Sequence, residues 1–284
     1  MRIGVVVVNY RSAEATLAAA RNCRSVLGPL VEEIVLVDNG GEEADRLEGG
    51  GETPVVLERN EGFAAGVNAG IDRILSSGSR PDAFLLVNPD VRLRIGSWPA
   101  WFGRLREERV AAIGPCVRRL DGSVQKSFYN KISLSGLLLE AVGVHRWWHR
   151  IRRTYVVPPA REVGAVQGSC LAIDAEAWRV VGPFDPEYFL YHEETDWCFR
   201  ARRLGYNILY DPLVEVDHEG GDEVPAGREV PYYQGALKLL ERFGESKGDQ
   251  GQRKRFLKAA LRCGAALAGD PRRRQGLIRA AEML

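Results

Sequence analysis

The chain has 284 residues, a net charge of +1 and 45% hydrophobic residues, a balance typical of a soluble globular protein with a substantial core. A charge this close to zero gives no general reason to expect a nucleic-acid ligand. The five cysteines are scattered without a CxxC pair, which favours reduced thiols and a cytoplasmic location. The first residues lack the layout of a signal peptide, and no apolar run reaches the roughly 18–20 residues of a membrane span.

The N-terminal third alternates between strand and helix patterns. Strands are predicted at 3–8, 34–37, 54–57 and 83–87, and helices at 13–26, which Ser12 would cap, and 64–75. Such alternation with short connections predicts parallel strands joined by right-handed crossovers. We therefore expect an α/β, Rossmann-like fold with a mostly parallel central sheet flanked by helices.

The pattern becomes mixed after Asp90. Further strands are predicted at 110–117, 165–173, 207–210 and 214–216, helices at 175–181 and 195–204, and a hairpin turn at 121–122. Beyond residue 231 the sequence predicts helices, interrupted by a polar break at 244–251 and rich in arginine towards the end. These features predict one domain over 1–230 and a basic, helical C-terminal extension over 231–284.

Polar residues follow the four predicted strands of the N-terminal third. They form four clusters, at 9–12, 38–41, 60–62 and 88–90. Because the carboxyl ends of parallel strands meet at one edge of a sheet, where ligands bind in such folds, the clusters predict a site there. The dinucleotide loop GxGxxG, the phosphate loop GxxxxGK[ST] and the zinc helix HExxH are absent from the sequence, which disfavours those classes.

Five segments, in this order, carry a resemblance to a known family. They are Val8-Asn9-Tyr10-Arg11, Val37-Asp38-Asn39-Gly40, Asn60-Glu61-Gly62-Phe63-Ala64-Ala65-Gly66-Val67-Asn68, Asn88-Pro89-Asp90 and Glu193-Glu194-Thr195-Asp196-Trp197. Together they resemble the family 2 glycosyltransferases of the GT-A fold, in particular the rhamnosyltransferase-like branch. The motifs cover roughly residues 3 to 220, and the tail after about 230 is not covered.

The resemblance implies a nucleotide-sugar half over 1–95 and an acceptor half over 96–230. The nucleotide-binding residues that it implies are Asn9, Arg11, Asp38, Asn60, Gly62 and Asn68. Asp38 would accept a hydrogen bond from N3–H of thymine or uracil, which favours a dTDP- or UDP-linked donor. Structural alternatives stay open, because Asp38 can cap a turn and the glycines can serve helix–sheet packing.

Asn88-Pro89-Asp90 takes the place of the family's DxD motif, which implies Mg²⁺ or Mn²⁺ to neutralise the departing diphosphate. With asparagine at the first position, Asp90 is the one anionic ligand of this motif. His218 follows a predicted strand and precedes two glycines, and it is the second candidate ligand. The alternatives are a turn-capping Asp90 and a structural His218.

Inverting transfer requires a carboxylate that takes the proton of the acceptor hydroxyl. Aligning Glu193-Glu194 with the family's Glu-Asp pair makes Glu194 the catalytic base, and Asp196 stays open as the alternative. Acids at a helix start are also favoured by the helix dipole, and Asp196 could simply pair with Arg200 four residues on.

The implied function is inverting transfer of a sugar, with rhamnose a candidate, to a hydroxyl of a glycan or lipid-linked saccharide in cell-envelope polysaccharide synthesis. The alternative is a non-catalytic nucleotide-sugar or glycan binding protein of the same fold, which the departure at Asn88 supports. The basic aromatic cluster at 147–153 and the arginine-rich tail suggest peripheral contact with the inner face of a membrane rather than with nucleic acid.

Overall fold

A computed structural model describes residues 1–48, 54–144, 156–220, 224–244 and 249–284. The chain divides into two compact units. Unit 1 comprises 1–129, 155–189 and 193–220, and unit 2 comprises 130–154, 190–192 and 221–284. The basic aromatic cluster at 147–153 lies outside the described residues, and the division at residues 95 and 230 stays a prediction.

Unit 1 holds the strands. They are β1 (Ile3–Asn9), β2 (Val31–Asn39), β3 (Val55–Leu57), β4 (Ala83–Val87), β5 (Val91–Leu93), β6 (Val110–Arg118), β7 (Phe128–Tyr129), β8 (Arg161–Val163), β9 (Ala165–Val166), β10 (Cys170–Asp174) and β11 (Asn207–His218). Nine strands of the described chain form one sheet in the order β3-β2-β1-β4-β10-β6-β11-β5, with β8 also paired to β11. Strands β7 and β9 form a small antiparallel sheet.

The helices are divided between the units. Unit 1 contains α1 (Ala13–Leu27), α2 (Ala44–Glu48), α3 (Phe63–Ser76), α4 (Trp98–Gly103), α6 (Ala175–Val181) and α7 (Glu193–Arg203). Unit 2 contains α5 (Leu134–Ala141), α8 (Glu229–Phe243), α9 (Gln250–Leu267) and α10 (Pro271–Met283). In the described part of the chain, no helix is both long and apolar enough to span a membrane.

The strand directions agree with the prediction in the N-terminal half of the sheet. Strands β3, β2, β1 and β4 are parallel neighbours, and β6 and β11 form another parallel pair. Strand β10 lies between these groups and is antiparallel to both β4 and β6. The predicted α/β fold with a mostly parallel central sheet and flanking helices is confirmed.

Strand β1 shows why a continuous apolar run suits this sheet. Val5 and Val7 pack into one hydrophobic cluster with α1, whereas Val6 and Val8 pack into the other cluster with α3, and all four are buried. A strand covered on both faces needs apolar side chains at every position. The run therefore places β1 at the centre of the parallel group, and its polar end at Asn9 marks the sheet edge.

Unit 2 has a hydrophobic core of its own. The core includes Tyr233 from α8, Leu257 and Leu261 from α9, and Leu277 from α10, all of them buried. Gly264 packs against α5, because a Cβ there would lie 2.0 Å from the carbonyl oxygen of Ala141. The predicted C-terminal helices are present in the described residues of this unit.

Three element boundaries differ from the sequence prediction. The strand predicted at 165–173 is broken at 167–169, because the chain passes there from the small sheet to the large one. The strands predicted at 207–210 and 214–216 are one strand, β11, with an irregular register between Tyr210 and Glu215. Helix α7 begins at Glu193, two residues earlier than predicted, so the acidic motif lies within its first turn.

Gly70 provides a test of the α3–sheet packing. A Cβ at Gly70 would lie 2.5 Å from Cγ1 of Val6 and 3.1 Å from Cγ2 of Val37. We expect Gly70→Ala to lower the free energy of unfolding by about 1–2 kcal/mol, because the overpacking cost exceeds the gain in helix propensity. Gly103→Ala is the matched control, since no atom lies within 4 Å of a Cβ there. Equal stabilities of the two variants in urea unfolding would contradict this packing argument.

Candidate active site

The ends of β1 and β2 are joined by a buried hydrogen-bond network around Asn9. Its Nδ2 donates to Oδ1 of Asp38 at 3.0 Å and to Oε2 of Glu43 at 3.1 Å. Its Oδ1 accepts from the hydroxyls of Ser12 and Thr16. Asn9 and Asp38 are buried. The predicted capping of α1 by Ser12 is wrong, because the Ser12 hydroxyl donates to Asn9 and makes no capping hydrogen bond. This network fixes the first two polar strand ends relative to each other.

Asp38 also holds the loop that follows β2. Its second carboxylate oxygen accepts from the backbone N–H of Glu43 at 2.9 Å. Both oxygens of Asp38 therefore accept hydrogen bonds within the protein, as in the turn-capping alternative. Each carboxylate oxygen has two lone pairs, so the geometry leaves acceptor capacity for a base N–H. The role of Asp38 towards the nucleotide stays a prediction.

A second network joins β2 to the start of α3 through Asn39. Its Nδ2 donates to Oδ1 of Asn60 at 3.2 Å and to the carbonyl of Gly62 at 2.9 Å. Oδ1 of Asn60 also accepts from the N–H of Gly62. Gly62 has φ +93°, and a Cβ there would lie 2.3 Å from the carbonyl oxygen of Phe189. Asn60 and Gly62 therefore lie at the same sheet edge as Asn9 and Asp38. Only glycine fits at position 62.

The other two predicted nucleotide residues have different surroundings. Arg11 is exposed and forms a bidentate ion pair with Glu42, at 2.8 and 3.0 Å. Asn68 uses both ends of its amide on the backbone of Phe184, donating at 2.9 Å and accepting at 3.0 Å. The geometry of Asn68 is that of a residue that holds the loop before α7. A direct contact of either residue with nucleotide stays a prediction.

Asp90 and His218 lie together, as the metal prediction requires. Nε2 of the buried His218 lies 3.4 Å from Oδ2 of Asp90, whose side chain is 42% exposed. On the other side of the ring, Nδ1 lies 2.9 Å from Oε1 of Gln125. A proton on Nδ1, donated to this amide oxygen, would leave the lone pair of Nε2 available for a cation beside Asp90.

The surroundings of Asp90 and His218 fit a divalent cation. A Cβ at Gly220 would lie 2.6 Å from Nε2 of His218 and 3.2 Å from Oδ2 of Asp90, so glycine keeps the space at both atoms open. The structure contains no group of three or more His, Cys, Asp or Glu side chains that could hold a metal, as far as its residues are described. Two protein ligands suit a cation that takes its remaining ligands from substrate phosphates and water.

Glu193 and Glu194 form a buried carboxyl pair in the first turn of α7. Burial raises the pKa of Glu193 well above its usual range, and the charge of Glu194 raises it further. Burial also raises the pKa of Glu194, although hydrogen bonds from Thr195 and from Glu193 favour its ionised form. The hydrogen bonds that Glu194 accepts therefore favour its ionised form over that of Glu193.

Asp196 has no exposed surface, and its partners are structural. Its Oδ2 accepts from Nε of Arg200 at 2.7 Å, and its Oδ1 accepts from the hydroxyl of Tyr188 at 3.3 Å. Arg200 also donates to the carbonyls of Val181 and Pro183. This network ties the first turn of α7 to the loop that precedes it.

The pairing of β10 with β4 brings the acidic pair to the Asp90 side of the sheet edge. The N–H of Asn88 donates to the carbonyl of Ser169 at 2.9 Å. A Cβ at the neighbouring Gly168 would lie 3.4 Å from Cγ of Glu194. A continuous path of contacts therefore runs from the Asn88–Asp90 motif to Glu194, entirely within unit 1.

The sequence did not identify three residues of this arrangement. Gln125 gave no signal because it follows a hairpin turn far from any motif. Gly168 lies within the segment 165–173 that the pattern predicts as one strand, although a glycine within a strand pattern often marks a close approach. The glycine pair after His218 supported the prediction of a ligand role in the sequence, but the contact of Gly220 with both His218 and Asp90 is visible only in the structure.

Comparisons with known proteins find sequence relatives and a shared fold. No protein-family model matches the chain. An N-acetylglucosaminyl-diphospho-decaprenol L-rhamnosyltransferase of Mycobacterium tuberculosis is 33% identical over 171 residues, which are 56% of this chain and 56% of that protein. The low-salt glycan biosynthesis hexosyltransferase Agl10 of Haloferax volcanii is 25% identical over 257 residues, 85% of this chain and 74% of that protein. The match thus spans about half the length of the mycobacterial relative.

A solved structure shares the fold over nearly the whole chain. It is the mannosyltransferase PcManGT of Pyrobaculum calidifontis in complex with GDP-Man and Mn²⁺, with a TM-score of 0.57 and 13% identity, covering 99% of this chain and 86% of that one. The fold is therefore that of the GT-A glycosyltransferases, as the sequence predicted. The relatives are rhamnosyl- and hexosyltransferases, so the resemblance to the rhamnosyltransferase-like branch of family 2 is confirmed.

The acidic pair generates a prediction about stability. Between the unfolded and folded pKa values of Glu193 the native state binds more protons, so the free energy of unfolding falls as pH rises through this window. Glu193→Gln removes the titratable carboxyl group and retains the shape of the side chain. We expect the Tm of this variant relative to wild type to rise by a few °C between pH 5 and pH 8.

Calorimetry at both pH values checks this expectation, with Glu176→Gln as the control because Glu176 is exposed and paired with Arg179. A Tm difference for Glu193→Gln that does not change with pH would contradict a raised pKa at this position.

Proposed function

We propose that the chain is an inverting, metal-dependent glycosyltransferase that moves a sugar from a nucleoside diphosphate to an acceptor hydroxyl. One observation carries the proposal: the β4–β10 pairing joins the Asp90–His218 pair to the buried carboxylate of Glu194 in a single compact unit. Displacement at an anomeric carbon needs both parts, a cationic group at the leaving diphosphate and a base on the opposite side.

Asp90 and His218 would hold the cation. When bound, a divalent cation neutralises the charge that builds on the diphosphate oxygens as the sugar leaves. Gln125 would fix the His218 tautomer by accepting from Nδ1–H, which would leave Nε2 to the cation on the same side as Oδ2 of Asp90. The imidazole nitrogen favours Mn²⁺ over Mg²⁺, since Mg²⁺ prefers ligand sets made of oxygen.

Glu194 would act as the base. Its carboxylate takes the proton of the acceptor hydroxyl while the acceptor oxygen bonds to the anomeric carbon and the bond from that carbon to the diphosphate oxygen breaks. A raised pKa suits this step, because a base acts best when its pKa approaches the working pH. Asp196 is the weaker candidate, because Arg200 and Tyr188 already engage its oxygens.

The proposal for the donor rests on the hydrogen-bonding chemistry of Asp38, and the proposal for the sugar and the acceptor rests on a sequence relative. A base N–H that donates to Asp38 favours thymine or uracil, and thus a dTDP- or UDP-linked sugar. The mycobacterial relative is named for rhamnose transfer to a diphospho-decaprenol acceptor. By this relationship we propose a deoxyhexose such as rhamnose and a lipid-linked saccharide acceptor. An acceptor of this kind would require the chain to work at the inner face of a membrane.

The cation assignment predicts the behaviour of Asp90→Asn. Removing the anionic ligand leaves the diphosphate charge uncompensated, so we expect Mn²⁺-dependent turnover, assayed as donor hydrolysis, to fall about 10²- to 10³-fold. Calorimetry should show weaker binding of the donor in Mn²⁺ and unchanged binding in EDTA. Asp72→Asn, on the exposed side of α3, is the matched control. Full activity of Asp90→Asn would refute the metal role of Asp90.

The base assignment predicts different outcomes for two substitutions in α7. Glu194→Gln should lower kcat by at least about 10²-fold with donor affinity nearly intact, because the carboxylate acts on the acceptor in the transition state. Asp196→Asn should chiefly lower Tm, because it weakens the buried pair with Arg200. Melting curves separate misfolding from lost chemistry. A well-folded, inactive Asp196→Asn beside an active Glu194→Gln would transfer the role of base to Asp196.

A further inference from the structure

Helix α9 of unit 2 is amphipathic, and burial distinguishes its two sides. Leu257, Leu261 and Ala265 lie on the side that packs into the core of the unit. The opposite side, the outer face, comprises the exposed residues Arg255, Phe256, Ala259, Arg262, Ala266 and Leu267. Residues three, four and seven positions apart lie on one side of an α-helix, so these six form a continuous strip.

The outer face exposes two large apolar side chains along one of its edges. Phe256 is 58% exposed and Leu267 is 71% exposed. They are eleven residues apart, which is about three turns and about 16 Å along the helix, so both point in nearly the same direction. A single exposed apolar side chain needs no explanation, whereas two that are aligned leave an apolar edge in contact with water.

The other edge of the outer face is positively charged. Helix α9 contains five basic residues and no acidic residue. Arg255 and Arg262 lie seven residues apart on the edge opposite to the apolar one. The acidic residues that flank the helix, Asp249 and Asp270, cap the N-termini of α9 and α10. The outer face is therefore basic, although the chain as a whole has a net charge of only +1.

An anionic lipid bilayer is complementary to both edges of the outer face. Guanidinium groups bind phosphates at the headgroup level, while phenylalanine and leucine side chains enter the boundary with the acyl chains. Helices with a basic polar side lie in the plane of this interface rather than across the bilayer. A nucleic acid would use the arginines and an aromatic ring, but it would leave Leu267 without an apolar partner. Charge and apolar surface together favour a lipid surface.

We propose that the outer face of α9 binds the headgroup region of an anionic membrane. This role goes beyond the proposed glycosyltransferase function, because it belongs to unit 2 and needs neither nucleotide nor cation. It assigns a defined binding face to the arginine-rich tail, for which the sequence suggests only a general membrane contact. A lipid-linked acceptor would be found at the same surface.

Co-sedimentation of the whole chain with vesicles tests the proposal. We expect the wild type to bind vesicles with about one third phosphatidylglycerol much more tightly than vesicles of phosphatidylcholine alone. Arg255→Gln/Arg262→Gln should weaken binding to the anionic vesicles about 10- to 30-fold, because each basic residue near an anionic surface contributes to binding. Phe256→Ser/Leu267→Ser should weaken it about tenfold, because two partly inserted apolar side chains are lost.

Two pairs of substitutions in unit 1 provide matched controls. Ile95→Ser/Leu204→Ser removes two exposed apolar side chains, and Arg21→Gln/Arg106→Gln removes two exposed arginines. Both controls should bind anionic vesicles as the wild type does. Donor hydrolysis in Mn²⁺ without vesicles should be unchanged in the α9 variants, so that loss of membrane binding is measured separately from the glycosyltransferase function.

The outcomes that contradict the proposal are distinct. Equal binding of the wild type to the neutral and anionic vesicles, or binding of both α9 variants at the wild-type level, would overturn it. Sedimentation velocity supplies a second readout: a dimer that Phe256→Ser/Leu267→Ser converts to monomer, without vesicle binding by the wild type, would assign the outer face to a second copy of the chain. Vesicle binding that depends on α9 in a protein without donor hydrolysis would support the membrane role and contradict the glycosyltransferase function.

Discussion

The antiparallel pairing of β10 with β4 is the constraint on which the site depends. Strand β4 ends at the Asn88–Asp90 motif, and β10 begins after the turn that contains Gly168 and Ser169. Because the strands are antiparallel, the end of one lies beside the start of the other. A parallel β10 would place this turn at the opposite edge of the sheet, away from Asp90. The contact of Glu194 with Gly168 then brings the proposed base to the same edge.

The two ends of the site differ in their electrostatic surroundings. Asp90 is 42% exposed beside His218, in surroundings that water can reach. Glu193 and Glu194 are buried together, and burial raises the pKa of both. Carboxyl groups in contrasting environments commonly serve different roles in one reaction. This contrast supports Asp90 as an ionised ligand for a cation, and Glu194 as a base whose pKa is raised.

The sequence predicted the features that depend on local pattern and motif order. The apolar run of β1, the polar residues at the strand ends and the position of Glu194 at a helix start all followed from pattern or resemblance. The turn at 167–169 was missed because β9 and β10 are both apolar, and only their different pairing partners separate them. Gln125 was missed for a similar reason, since its contact with His218 joins residues 93 positions apart. Long-range pairing of this kind leaves no periodicity in the sequence.

The central claim is direct displacement by an acceptor that Glu194 deprotonates, and product stereochemistry tests it most directly. Proton NMR of wild-type protein with Mn²⁺ and dTDP-rhamnose, recorded during the first turnovers, reports the anomer of the sugar that is released or transferred. The account predicts the anomer opposite to that of the donor. A product that retains the donor's anomeric configuration from the start would contradict it, since retention requires either two displacements or attack from the face of the leaving group.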